Sequence, residues 1–134
     1  MKILIIGCGR LGGVMAEYLE EDGNDVTVVD KRSTAFRLLL PTFRGKTILG
    51  NGIDQDILRE AGAEGADLMI VASDSDNTNI MAALVGQRIF HIPRIMARIY
   101  HQSRISSYQE YGMETYCPTA LVAGMMRESI KKGA

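Results

Sequence analysis

Gly7-Cys8-Gly9-Arg10-Leu11-Gly12 follows directly on the apolar run Ile3-Leu4-Ile5-Ile6. No other feature constrains the fold of this chain as tightly. A glycine pattern alone is weak, but here a strand-like run leads in and a helical pattern leads out. Asp30 then closes a second strand-like run rich in Val and Thr. That context is the fingerprint of a dinucleotide-binding turn. Gly7 permits the tight turn, Gly9 lets the backbone approach a pyrophosphate, and Gly12 allows close packing of helix on strand. The N–H groups opening the helix, at Arg10 and Leu11, face the phosphates, and the helix dipole adds attraction.

The elements that follow alternate. Ile3 to Ile6 is a continuous apolar run, as expected for a parallel strand covered on both faces. Leu11, Val14, Met15, Tyr18 and Leu19 recur at helical spacing, and Gly23 and Asn24 end that helix. Asp25 to Val29 is the second strand. Ser33 is expected to cap a short helix carrying Phe36, Leu39 and Leu40, stopped by Pro41. Strands are expected at 46–49, 67–72, 94–98 and 113–116. Between and after them come helices from Asp54 to Gly62, over 77–90 with Ile80, Met81, Leu84 and Val85 inward, over about 103–111, and over 119–131. Alternation with right-handed crossovers implies an α/β fold: a Rossmann-type, doubly wound, parallel six-stranded sheet with an extra C-terminal helix. The expected division is a nucleotide-binding domain over 1–117 and a C-terminal helix over 118–134 that serves dimerisation or transmission. Within the 134 residues nothing is left over for a second domain.

A ligand on such a sheet lies along the carboxyl ends of the strands. Asp30 ends the second strand, where an acid accepts both ribose hydroxyls and repels a 2′-phosphate; Lys31 and Arg32 blunt that repulsion slightly. The bland reading of Asp30 is a turn acid before Ser33. Gly50-Asn51-Gly52 follows the third strand, and the Asn51 amide suits an adenine edge. Ala72-Ser73-Asp74 follows the fourth, where small side chains leave room for a ribose or base. Asn77 and Asn79 open the next helix, as caps or as ligand contacts, with capping the stronger expectation. Arg98 ends the fifth strand and reads equally as a phosphate cation or as half of a rim ion pair. Arg10 likewise reads as a phosphate cation or a solvated arginine.

Bulk properties exclude several classes. Fifteen basic against sixteen acidic residues give no electrostatic case for nucleic acid or an anionic membrane. The apolar start breaks at Gly7, too early for a secretory signal, and no run approaches the length of a membrane span, so direct membrane insertion is not expected. Cys8 and Cys117 are expected to be reduced thiols in a cytoplasmic protein, since a crosslink at Cys8 would obstruct the turn. No metal-ligand spacing is present, and His91 and His101 stand apart.

Later segments carry a resemblance over essentially the whole chain. They are Gly50-Asn51-Gly52 with Ile57-Leu58-Arg59-Glu60-Ala61-Gly62, Ala66-Asp67, Asp76-Asn77-Thr78-Asn79, Ile95-Met96-Ala97-Arg98, Gly112-Met113-Glu114 and Cys117-Pro118-Thr119. Together they resemble the regulator-of-potassium-conductance domains, also called RCK, KTN or TrkA-N domains, of Trk- and Ktr-type uptake systems. The resemblance implies a cytosolic regulatory subunit, peripheral to the inner membrane face, that binds NAD(H) or an adenine nucleotide (ATP, ADP or AMP). It implies a membrane potassium channel or transporter as partner, and dimers that pair through the last helices and assemble into a ring. It carries nucleotide contacts over to Gly7, Gly9, Gly12, Asp30, Asn51 and Arg98. Two positions depart from the family pattern: Asn51 stands where an acid is common, and Thr119 where metal-binding members carry an acid.

Three functions compete: a ligand-sensing regulatory subunit, an NAD-dependent oxidoreductase with its active site shared across an oligomer, and a nucleotide-sensing scaffold for another partner. A dehydrogenase needs an acid–base group beside the nicotinamide. Tyr100 is followed four residues on by Arg104 rather than by a lysine, and Tyr108 and Tyr111 have no lysine at that spacing. Leu121, Val122, Met125, Met126 and Ile130 form one broad apolar face on the last helix. That face either packs on the domain's own sheet or forms a two-fold seam. The regulatory reading, without enzymatic activity, is the expectation.

Overall fold

The computed structural model describes residues 1–133. The elements run β1 (Lys2–Ile6), α1 (Arg10–Glu21), β2 (Asp25–Asp30), a 3-10 helix (Ser33–Leu38), β3 (Lys46–Leu49), α2 (Gln55–Glu60) and β4 (Leu68–Val71). They continue with α3 (Asp76–Arg88), β5 (Ile95–Arg98), a 3-10 turn (Gln102–Arg104), α4 (Ile105–Glu110), β6 (Glu114–Tyr116) and α5 (Pro118–Lys131). The six strands form one sheet in the order β3-β2-β1-β4-β5-β6, with every neighbouring pair parallel. This is the Rossmann order, in which the chain returns to the centre between β3 and β4 and leaves a crevice at the β1/β4 switch point.

Alternate residues of the central strands feed two cores. Ile3, Ile5, Val26, Val28, Leu68 and Ile70 face α1 and the 3-10 helix. Leu4, Ile6, Val29, Met69 and Val71 face the opposite side with Leu58, Ala82 and Ala83. Burial on both faces explains why the β1 and β4 sequences are unbroken apolar runs. Each such Ile, Leu or Val removed from water contributes about 1.5–3 kcal/mol.

The helices meet this sheet differently from the expectation. In α1 the buried residues are Gly12, Gly13 and Ala16, while Val14 and Tyr18 are exposed. In α3 they are Asp76, Asn79, Ala82, Ala83 and Gly86; Ile80, Leu84 and Val85 pack at the edge, and Met81 points to solvent. The cause is close approach. A Cβ on Gly12 would fall on the Gly7 carbonyl oxygen, and one on Gly86 would fall on the Met69 sulfur. The smallest side chains therefore form the contact and the larger apolar ones flank it.

Ser33 is a second correction. It opens a 3-10 helix and caps nothing; the residue before that helix, Arg32, has its N–H taken by Asp30. Asp54 does cap α2, accepting the Asp56 N–H at 2.8 Å. The cap of α3 is Ser75, accepting from the Thr78 N–H, and neither Asn77 nor Asn79 fills that role. No residue of α5 is buried, and Leu121, Val122, Met125, Met126 and Ile130 are all exposed. The helix does not pack its apolar face on the domain's own sheet.

Candidate functional site

Following the strands to their carboxyl ends leads into a cleft of about 410 Å³. That volume lies within the range of small-molecule sites. The first wall is the glycine turn. Gly7 has φ +100°, and a Cβ there would stand 2.7 Å from the Ser73 nitrogen, so both backbone shape and the approach of the β4 end require glycine. Gly9 precedes α1, and a Cβ there would meet nothing within 4 Å, leaving the approach to the helix open. The first intrahelical bond is donated by the Gly13 N–H to the Gly9 carbonyl. No side chain caps α1, and its first turn carries no acid. The opening amides of a helix without such partners are donors aimed outward, at the positive end of the dipole.

Asp30 forms the second wall. It is buried, and its carboxylate accepts the Cys8 N–H and the Arg32 N–H, each at 2.8 Å. The acid at the end of β2 thus holds the glycine turn in shape while lining the cleft. Arg32 sits 3.9 Å from Asp30 and 3.8 Å from Asp74, bridging the β2 and β4 ends. The Cys8 thiol is fully buried. Burial first, then the charges of Asp30 and Glu17, push its pKa up to about 11, so it is a neutral, unreactive group at physiological pH.

The far wall is organised by an amide. Asn79 has no exposed surface; its Oδ1 accepts the Ser73 N–H at 2.9 Å and lies 2.7 Å from the Ser73 hydroxyl. Its Nδ2 donates to the Ser73 carbonyl at 3.2 Å and to the Arg98 carbonyl at 3.1 Å. One side chain therefore fixes the end of β4 to the end of β5. The Arg98 guanidinium donates to the Ser73 carbonyl at 2.6 Å and more weakly to the Ala72 carbonyl at 3.4 Å. Its Nε is buried without a partner. An unpaired buried donor costs about 1–3 kcal/mol.

Gly7, Gly9, Arg10, Asp30, Lys31, Asn51, Gly52, Ala72, Ser73, Asp74 and Arg98 all line this cleft. Four sequence candidates do not; one is Asn79, fully buried behind the cleft wall. Gly12 lies beneath the turn as a packing residue. The Leu11 side chain joins the core on the α1 face, leaving only its amide for the cleft. Asn77 is exposed and its amide oxygen accepts from Arg104 at 2.9 Å. Gly52 lines the cleft, but its lack of a side chain serves Ile6, which a Cβ would strike. Asn51 folds its Oδ1 back to the Ile53 N–H at 3.2 Å, leaving its NH2 group outward. The rim ion pair considered for Arg98 is not formed; its partners are carbonyls and the Tyr100 hydroxyl.

Sequence reasoning missed Ile6, Val29, Ile53, Thr78 and Tyr100 as lining residues, and read Arg32, which also lines the cleft, only as blunting the charge of Asp30. Strand alternation was a usable signal for Tyr100, two residues beyond Arg98 and so on the same side. The roles of buried Asn79 and Asp76 had no such signal, because both act across the chain. Arg10, Lys31, Arg32 and Arg98 outnumber Asp30 and Asp74 along the cleft. Such a balance favours an anionic ligand that also carries hydroxyls for a carboxylate. Among the described residues no group of three or more His, Cys, Asp or Glu side chains could hold a metal ion, and no helix is long and apolar enough to cross a membrane.

Comparison with known proteins gives concordant results. The TrkA-N domain family matches residues 3–117. The "Trk system potassium uptake protein TrkA" of Streptomyces coelicolor is 42% identical over 135 aligned residues, covering 100% of this chain; the chain spans only 60% of that relative's length. Among solved structures, the AMP-bound Kef CTD of Shewanella denitrificans superposes with a TM-score of 0.79 at 20% identity, covering 100% of this chain and 83% of that one. The GsuK channel bound to NAD superposes with a TM-score of 0.81 at 23% identity, covering 97% of this chain and 23% of the channel. At these identities the structural likenesses establish the fold.

Proposed function

The chain belongs to the TrkA-N domain family, and on that footing we propose that it is the nucleotide-sensing regulatory domain of a potassium uptake system. The observation that carries this reading is the cleft at the β1/β4 switch point. There the uncapped start of α1, the buried Asp30 and the Arg98 side chain, a cation without an ion pair, converge on one space. The ligand is an adenine nucleotide: NAD(H), ATP, ADP or AMP. Its phosphates lie at the glycine turn and Arg10, its ribose beside Asp30 and Lys31, and its base near Asn51 and Gly52. The AMP and NAD held by the two neighbours share the adenosine and first phosphate that these groups suit.

The partner is a membrane-embedded potassium channel or transporter subunit, which places the domain in the cytoplasm at the inner membrane face. The C-terminal helix α5 pairs two copies of the domain through its exposed apolar face, and dimers join into a ring; Ala134 of the expected 118–134 segment lies outside the described residues. Nucleotide acts through its differential affinity for two assembly geometries. The domain binds rather than turns over its ligand. The cleft's carboxylates are engaged by backbone N–H groups and by Arg32, so they serve to hold a ligand in place.

Isothermal titration of the chain with AMP, ADP, ATP and NAD tests the reading. Saturable binding by adenine nucleotides, weakened in Asp30→Ala, is the expected result. No binding by any of the four overturns it. Steady turnover of NADH with carbonyl substrates would replace it with the oxidoreductase reading.

A further inference from the structure

The β5 end of the cleft contains a pairing that the nucleotide reading leaves unused. The Arg98 guanidinium lies 4.5 Å from the centroid of the Tyr100 ring, and a terminal nitrogen donates to the Tyr100 hydroxyl at 2.7 Å. The remaining partners of this cation are neutral carbonyls, and none of the ion pairs among the described residues includes it. Nε is buried and unpaired. Hydrogen bonds from a guanidinium to an ionised oxygen are roughly twice as strong as those between neutral groups. Phenol and carbonyl acceptors therefore lose Arg98 to a phosphate that comes within reach.

Tyr100 is anchored from behind by its backbone. Its N–H donates to the buried Asp76 carboxylate at 2.8 Å. Its carbonyl accepts the Cys117 Sγ–H at 3.8 Å, and the preceding residue pair is joined where the Ile99 N–H donates to the Tyr116 carbonyl at 2.9 Å. Cys117 stands immediately before α5, and its own carbonyl accepts the Leu121 N–H that closes the first turn of that helix. Residue 100 thus meets the cleft with its side chain and the start of α5 with its backbone.

We propose that Arg98 and Tyr100 form an anion-responsive latch between the cleft and α5. A phosphate of a nucleoside diphosphate draws the guanidinium off the Tyr100 hydroxyl, and the Tyr100 backbone passes the release to Cys117 and the first turn of α5. The inference rests on the cleft being an adenine-nucleotide site. Tyr100 is a positioning residue in it, acting through Arg98, and it explains how the nucleotide reaches the helix that forms the dimer seam.

Hydrogen–deuterium exchange with and without saturating ADP tests the latch in the unaltered chain, Tyr100→Ala and Tyr100→Phe, with binding followed by calorimetry. In the unaltered chain ADP should change exchange at the start of α5 by at least about threefold. Both variants should retain saturable ADP binding, with a shifted affinity because Tyr100 lines the cleft, yet lose most of that change when compared at full occupancy. Tyr100→Phe keeps the ring, so folding and coupling are separated. A full α5 response in either variant overturns the latch, as does ADP binding that leaves α5 unmoved in the unaltered chain. Complete loss of ADP binding in Tyr100→Phe would make Tyr100 a ligand contact and also overturn it. If ADP fails to bind the unaltered chain, the nucleotide reading itself falls.

Discussion

Replacing Asp30 should damage the fold before it damages the ligand site. Its carboxylate accepts the Cys8 N–H inside the buried glycine turn and the Arg32 N–H outside it. In Asp30→Ala the Arg32 amide is recovered by water, but the Cys8 amide is left buried. That orphaned donor costs about 1–3 kcal/mol, and the lost hydrogen bonds to a charged acceptor bring the total to about 3 kcal/mol. For a chain of this size each kcal/mol lowers Tm by roughly 3–4 °C, so a fall of roughly 10 °C is expected. Asp30→Asn keeps one acceptor for Cys8 but turns an NH2 group toward the Arg32 N–H, and should cost about half as much. Melting followed by far-UV circular dichroism measures the series. Because the turn itself loosens, Asp30→Ala should also weaken binding of 2′-deoxy-ADP, which offers Asp30 one hydroxyl fewer. Equal melting temperatures for all three proteins would refute the structural role. A loss confined to ribonucleotides would assign Asp30 to the ribose alone.

Other substitutions probe separate features. Gly12→Ala places a methyl group on the Gly7 carbonyl and should prevent soluble folding, whereas Gly13→Ala meets nothing within 4 Å and should be neutral or stabilising by about 0.5–1 kcal/mol, as denaturant titration would show. Asn79→Ala strands the polar groups that join the β4 and β5 ends and should cost about 2–4 kcal/mol in the same titration, with weakened ADP binding. Cys8, raised in the fold from an ordinary value near 9 to about 11, contributes stability that is intact below pH 9 and is lost as pH rises toward 11; Cys8→Ala should flatten that alkaline fall in Tm. Met125→Glu puts a charge on the exposed apolar face of α5, at a residue 72% exposed, and should convert the proposed dimers to monomers by light scattering, with loss of α5 helical signal while the sheet stays folded.

The sheet centre was legible because parallel strands buried on both faces leave unbroken apolar runs, as in β1 and β4, whereas the exposed or half-buried edge strands β3 and β6 were placed by the alternation of elements. The glycine turn was legible because Gly7 and Gly12 answer local steric demands, whereas a Cβ at Gly9 would meet nothing within 4 Å. Helix orientation was not. Apolar spacing pointed Val14, Tyr18 and Met81 inward, but contact with the sheet is made by glycine and alanine, which carry little hydrophobic signal. The site divides along the same line. Residues at strand ends could be placed by topology, whereas Asn79 and Asp76 matter through partners 6 to 25 residues away in sequence that no local pattern reveals.

The exposure of α5 has a consequence for its own folding. The helix is 14 residues long with none buried, so it draws little packing energy from the domain that precedes it. Free helices of about 12–15 residues are marginal in water. In the proposed dimer the second copy supplies most of what keeps the helix wound, which would make seam formation and helix formation a single mass-action equilibrium. On dilution of that dimer the protein should lose helical signal while its sheet stays intact, and the order of this segment would then gauge the extent of assembly.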